Sequence, residues 1–107
     1  MDIRLRNSGR DRIAIVAEIL EMAREGVLKT NIMYRAGLNS LMLNKYLGLM
    51  TNAKLLEKVL LNGRVVFKAT KRGTEFLHYC YEITRLLEPE DGINKIGERV
   101  QLLPSSL

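Results

Sequence analysis

Apolar residues in the first third of the chain recur at helical spacing. Ile13, Val16, Ala17, Leu20 and Ala23 or Arg24 fall on one face, which Ile15 and Ile19 widen. Asp11 stands where an N-cap is expected and Gly26 where a C-terminal cap is expected, so the pattern predicts a helix between them. A second helix of about two turns follows, with Thr30 as its N-cap and Gly37 as its end. A helix that short is not stable alone and has to be held by packing. After the link Gly37-Leu38, Asn39 or Ser40 can cap a third helix that runs to Asn52. Its apolar set is Leu43, Tyr46, Leu47 and Met50, while Ser40, Asn44, Lys45, Gly48 and Thr51 lie on the other side.

The next two runs, Leu55 to Leu61 and Arg64 to Ala69, are rich in β-formers and flank Asn62-Gly63, a strong short-range hairpin signal. Thr70 then caps a fourth helix with Gly73 in its first turn. Phe76, Cys80, Ile83 and Leu87 form a stripe along it, and Leu77, Tyr79, Tyr81 and Leu86 extend the apolar surface beyond that stripe. A helix apolar on more than one side must bury the second side somewhere. Pro89 ends the helix at Glu88. Beyond it Ile93, Ile96, Val100 and Leu103 suggest a short amphipathic helix from Asp91 to Leu103.

Two short helices joined by a Gly-containing turn form a helix-turn-helix, and a hairpin directly after it makes a winged helix. The expected fold is therefore mainly α with a small β-hairpin (α+β). It divides into a basic arm (1–10), a winged helix-turn-helix unit (11–73) and a C-terminal helical segment (74–107).

Composition narrows the function. A chain of 107 residues with 47% hydrophobic content is one folded domain. Burial is limited at this size, so a second copy of the chain can add stability. No apolar run approaches the ~20 residues of a membrane span, and the opening Met-Asp-Ile-Arg-Leu-Arg lacks the apolar core of a signal peptide. A cytoplasmic location is expected. One cysteine, Cys80, excludes an internal disulfide framework. Cys80 and the single histidine, His78, lie two apart on a helix, point to different faces and cannot make a four-ligand zinc site. Phosphate loops and dinucleotide fingerprints are absent, so neither an enzyme nor a cofactor nor a small-molecule ligand is expected. Glu88, Glu90 and Asp91 bracket the proline and read as a solvated turn.

Charge sharpens the picture. Between Leu38 and Thr74 stand seven basic residues (Lys45, Lys54, Lys58, Arg64, Lys68, Lys71, Arg72) and one acid, Glu57, whereas residues 75–107 are net acidic. Basic charge gathered on the third helix, the hairpin and the next helix start is the pattern of a nucleic-acid-binding face. The plainer alternative is a solubilising surface.

The run Arg12 to Ile19 with Glu21, then Gly26, Lys29-Thr30, Ile32-Met33-Tyr34 and Ala36, resembles the opening of small archaeal winged-helix regulators. Lys45-Tyr46-Leu47, Thr70-Lys71-Arg72-Gly73 and Phe76-Leu77 match the same pattern, so the resemblance spans about residues 11–87. Crenarchaeal chromatin proteins that bind duplex DNA as dimers belong to this group. The resemblance implies double-stranded DNA binding by a homodimer, nucleoid association, and a dimer contact through the C-terminal helix. Two departures stand out. Pro89 interrupts a helix that relatives continue, and Asn52-Ala53-Lys54 replaces a glycine-containing turn before the wing.

On this reading the third helix enters the major groove, with Asn39, Ser40, Asn44 and Lys45 as candidate contacts. Asn39 and Ser40 have capping as their plainer role. Arg64 sits beside the wing turn, with Lys58 and Lys68 on the paired strands and Lys71 at the following helix start. Lys29, Thr30 and Arg35 surround the start and end of the second helix, where the Thr30 and Asn31 amides can hold a phosphate. Tyr34 and Tyr46 read as core residues, with phosphate contact the alternative. Arg4, Arg6, Arg10 and Arg12 can track the backbone or a minor groove as an arm does. Phe76, Cys80, Ile83, Leu87, Ile96 and Val100 are the candidate dimer residues. A rival function is a winged-helix adaptor that binds protein rather than DNA, and fold alone does not choose between them.

Overall fold

A computed structural model describes residues 11–89 of the chain. Its elements run α1 (Arg12–Met22), α2 (Lys29–Ala36), α3 (Ser40–Asn52), β1 (Leu56–Leu61), β2 (Arg64–Ala69) and α4 (Lys71–Leu87). The arm at 1–10 and the helix expected from Asp91, with Ile96 and Val100, lie outside the described residues.

The core draws on all four helices and the hairpin. Ile19 and Leu20 of α1, Ile32 of α2, Leu43 and Met50 of α3, Leu56 of β1 and Leu77 of α4 are fully buried together. α1 is the hub, packing on α2, β2 and α4. Asp11 caps it through a hydrogen bond from the Ala14 amide to Oδ1 at 2.7 Å. Its buried face is centred on Ile15, Val16, Ile19, Leu20 and Ala23. Ile13, expected on the stripe, lies in the first turn at the edge of that face and is 58% exposed.

α1 also ends earlier than Gly26. Met22 is its last residue and Ala23 its C-cap. The Ala23 carbonyl accepts from the Ala69 amide at 2.8 Å, which draws the chain out of the helix toward β2. Gly26, at φ 100, then turns the backbone into Val27. Val27 exchanges both backbone hydrogen bonds with Phe67, at 2.9 and 2.8 Å, and so adds a one-residue third strand to the hairpin.

α2 starts at Lys29, with Leu28 at the cap position and no side-chain cap, so Thr30 lies inside the helix rather than before it. Gly37, at φ 66, closes α2, with the Leu38 amide reaching back to the Met33 carbonyl at 3.0 Å. Asn39 caps α3, its Oδ1 accepting from the Met42 amide at 2.8 Å. At the far end of α3 the same closure recurs without glycine. Leu55 donates to the Met50 carbonyl (2.9 Å) and Lys54 to the Thr51 carbonyl (3.0 Å), while Lys54 itself stands at φ 66.

β1 and β2 pair antiparallel with Leu61 opposite Arg64, and Asn62 (φ 51) and Gly63 (φ 77) make the two-residue turn between them. Thr70 caps α4, accepting from the Gly73 amide at 3.0 Å, and also donates to the Lys54 carbonyl at 2.6 Å. Arg72 Nε adds a bond to the Ala53 carbonyl at 2.9 Å, so the α4 start clamps the turn between α3 and the wing.

Candidate nucleic-acid interface

The inward face of α3 is Leu43, Tyr46, Leu47 and Met50, all buried. That anchoring turns Leu41, Asn44, Lys45, Gly48 and Asn52 outward, and each of them is exposed. Spaced at three, four, seven and eleven residues from Leu41, they share one side of the helix. Asn44 and Lys45 therefore stand free on that side, as their spacing predicts. Asn39 and Ser40 are also exposed, but the Asn39 carbonyl oxygen is engaged as the cap. Thr51 turns back and donates to the Leu47 carbonyl at 2.6 Å. Lys45 is the one charged side chain on α3.

On the hairpin, residues directly opposite share a face. Glu57 opposes Lys68, Val59 opposes Val66, and Leu61 opposes Arg64, which places Lys68 and Arg64 on one face. Lys58 opposes Phe67 on the other face, so the two wing lysines do not flank Arg64 together. Val66 anchors the Arg64 face, and a Cβ at Gly26 would sit 3.2 Å from its Cγ2. Leu60 and Val65, opposite one another near the tip, are exposed.

Lys29, Thr30, Asn31 and Arg35 are exposed on α2. The Asn31 amide is already bonded to the Leu28 carbonyl at 3.0 Å, which removes it as the expected phosphate donor. Tyr34 departs from the reading of it as a core residue, for it is 79% exposed, whereas Tyr46 is buried as read. The signal was present in the spacing: Ile32 and Ala36 fix the buried face of α2, and Tyr34 lies midway between them, on the opposite side. Lys71 is exposed at the start of α4.

Among the described residues the ion pairs are Arg24–Glu21 at 2.9 Å and Arg85–Glu82 at 2.7 Å. Both lie outside the basic segment. Lys45, Lys58, Arg64, Lys68 and Lys71 thus keep their charge unneutralised by a described acid. No described group of three or more His, Cys, Asp or Glu could hold a metal ion, and no described helix is long and apolar enough to cross a membrane.

A family model described as winged helix-turn-helix matches residues 9–88. The chain belongs to that family. Two solved structures share its fold. Sso10a-2, a DNA-binding protein from Sulfolobus solfataricus, superposes at a TM-score of 0.63 with 23% identity, over 72% of this chain and 81% of that one. RV1404 from Mycobacterium tuberculosis superposes at 0.55 with 13% identity, over 83% of this chain and 69% of that one. No curated protein matches the sequence.

α4 carries the second exposed surface of this winged helix. Gly73 and Leu77 are buried and Phe76 and Cys80 half-buried against the domain. Burial raises the Cys80 thiol above its usual range, and the Asp11 carboxylate adds to the effect. Ile83 and Leu87, expected on the same stripe as Phe76 and Cys80, are exposed, because the domain covers only the first half of the helix. Tyr79 and Leu86, read as extending the apolar surface beyond that stripe, are exposed too. Tyr79, Ile83 and Leu86 follow at four and three residues, a seam distinct from the docked side. Tyr81 donates to the Glu21 carboxylate and ties the middle of α4 to α1.

Proposed function

We propose that this winged helix binds double-stranded DNA, with α3 in the major groove and the wing on the backbone or minor groove. The observation that carries the reading is the set of exposed cations on α3, the hairpin and the α4 start that no described acid pairs with. A protein partner of opposite charge would suit those cations as well. What favours DNA is their coincidence with the outward side of the second helix of a helix-turn-helix, the element that lies in the groove in this motif. The DNA-binding Sulfolobus neighbour has the same fold.

Asn44 and Lys45 then face base edges, and Ser40 and Asn39 the groove wall. Arg64, Lys68 and Lys71 grip phosphates, as do Lys29, Thr30, Arg35 and the exposed Tyr34. With one charge on α3, phosphate contacts dominate and binding is of modest sequence specificity. The role is that of a chromatin-associated, nucleoid-bound protein or a transcriptional regulator. Two copies join through the outer seam of α4, which gives that apolar side the burial a helix of this kind requires.

Fluorescence anisotropy on a random-sequence duplex at about 50 mM and about 200 mM salt tests the reading. Binding should weaken steeply between the two, and Arg64→Ala should lower the slope of log affinity against log salt by about 1. Absence of binding at the lower salt would overturn it in favour of an adaptor that uses the α4 seam.

A further inference from the structure

Two residues on the outward side of α3 have no use inside the fold. Leu41 is a large apolar side chain left 77% exposed, and it sits in the first turn of α3. Gly48 lies two turns on along the same side, mid-helix, where glycine destabilises by about 1 kcal/mol against alanine. A Cβ at Gly48 would meet no atom within 4 Å. Gly73 supplies the contrast: a Cβ there would run into the Leu55 carbonyl oxygen and lie 2.9 Å from Leu20 Cδ2. Gly73 is needed by the protein's own packing; Gly48 is not.

Single exposed leucines are ordinary. This one stands at the N-terminal end of the helix that enters the groove, the part that meets base edges. In the major groove the apolar feature of a base pair is the C5-methyl of thymine. Around Leu41 the helix offers Asn44 and Lys45, one amide and one cation that suit adenine edges and phosphate or guanine. Gly48, bare of side chain, lets the α3 backbone come close to the groove at that point.

We infer that Leu41 reads thymine methyl groups in the major groove, and that Gly48 provides the close approach which brings it there. This rests on the DNA reading above and adds to it a base preference that phosphate contacts do not supply. The specificity comes from apolar contact rather than from charge, which explains how a recognition helix with one charge can still discriminate.

The test uses the full chain and two duplexes of about 20 base pairs, one of alternating adenine and thymine, the other with uracil replacing every thymine. The two differ only in the C5-methyl groups. The wild-type protein should bind the thymine duplex about fourfold more tightly for each methyl contacted, the value of one buried carbon. Leu41→Ala should bind both duplexes equally, at the affinity of wild type for the uracil duplex, with an unchanged salt slope. Gly48→Ala should raise the thermal unfolding midpoint and yet bind the thymine duplex about tenfold more weakly. Equal wild-type affinity for the two duplexes overturns the inference while leaving DNA binding intact. Failure to bind either duplex at low salt overturns DNA binding itself and this inference with it. A Gly48→Ala protein that binds as well as wild type removes the close-approach role.

Discussion

Gly73 is a position where one atom decides the fold. It is buried where α4 crosses the α3-to-wing turn, and its Cα faces the Leu55 carbonyl that also accepts from the Thr70 amide at 3.0 Å. Neither backbone can give way without losing that bond. Gly73→Ala should therefore destabilise by about 2 kcal/mol, within the usual range for overpacking, seen as a lower denaturant midpoint at unchanged slope. Glu21 makes a second residue-scale case. Arg24 first, and then Tyr81, hold its carboxyl below the ordinary 4.5 by hydrogen bonding to the charged form. A carboxyl with a lowered folded pKa adds stability that is complete above its unfolded value and vanishes as pH falls through the folded one. The group is exposed, so the contribution is small. Tyr81→Phe should raise the Glu21 pKa toward 4.5, read by carboxyl NMR titration, and should shrink the stability lost as pH falls below 4.5 through the lowered folded-state value. An unmoved titration would show that the Tyr81–Glu21 hydrogen bond does not form.

At the scale of elements, what the sequence disclosed follows from which signals are local. Asp11, Asn39 and Thr70 each bond an amide three residues ahead, so their caps are written in neighbouring residues. Asn62-Gly63 dictates its turn in the same way. The end of α1, which shifted, is set by a distant partner. α1 stops at Met22 because Ala69, far along the chain, takes the Ala23 carbonyl. Lys54 closes α3 in a left-handed conformation that usually selects glycine, held there by Thr70 from the start of α4. The site was half legible for a related reason. Composition locates the basic segment and spacing puts Gly48 on the outer side of α3, but Tyr34 reads as core and Leu41 is not singled out, and the packed positions of α2 and α3 turn both outward. The second half of α4 raises the matching prediction. Ile83→Asp with Leu86→Asp should leave the monomer folded, since both side chains are exposed in it, and should convert a dimer to monomer in sedimentation. A wild-type protein already monomeric at high concentration would refute the α4 seam.

For the molecule as a whole, the apolar side of α4 and the basic face of α3 and the wing set up two separate recognition tasks. Folding relies on a small core to which every element contributes, α1 and α3 most. A domain of this size is marginal alone, so a partner on α4 should make its melting temperature rise with protein concentration. Calorimetry over a tenfold or greater dilution would register that rise, and a constant melting temperature would show that α4 is not stabilised by assembly. α4 also has a property of phase. Its docked side, through Gly73 and Leu77, and its outer side, through Tyr79, Ile83 and Leu86, are carried on one rigid backbone. One inserted residue would turn everything beyond it by about 100°, whereas seven would restore the original direction to within about 20°. The distance from Thr70 to Pro89 is thus a timing element: substitutions on its outer side leave the docked side where it is, but a change of length keeps the two sides in register only in steps of about a heptad.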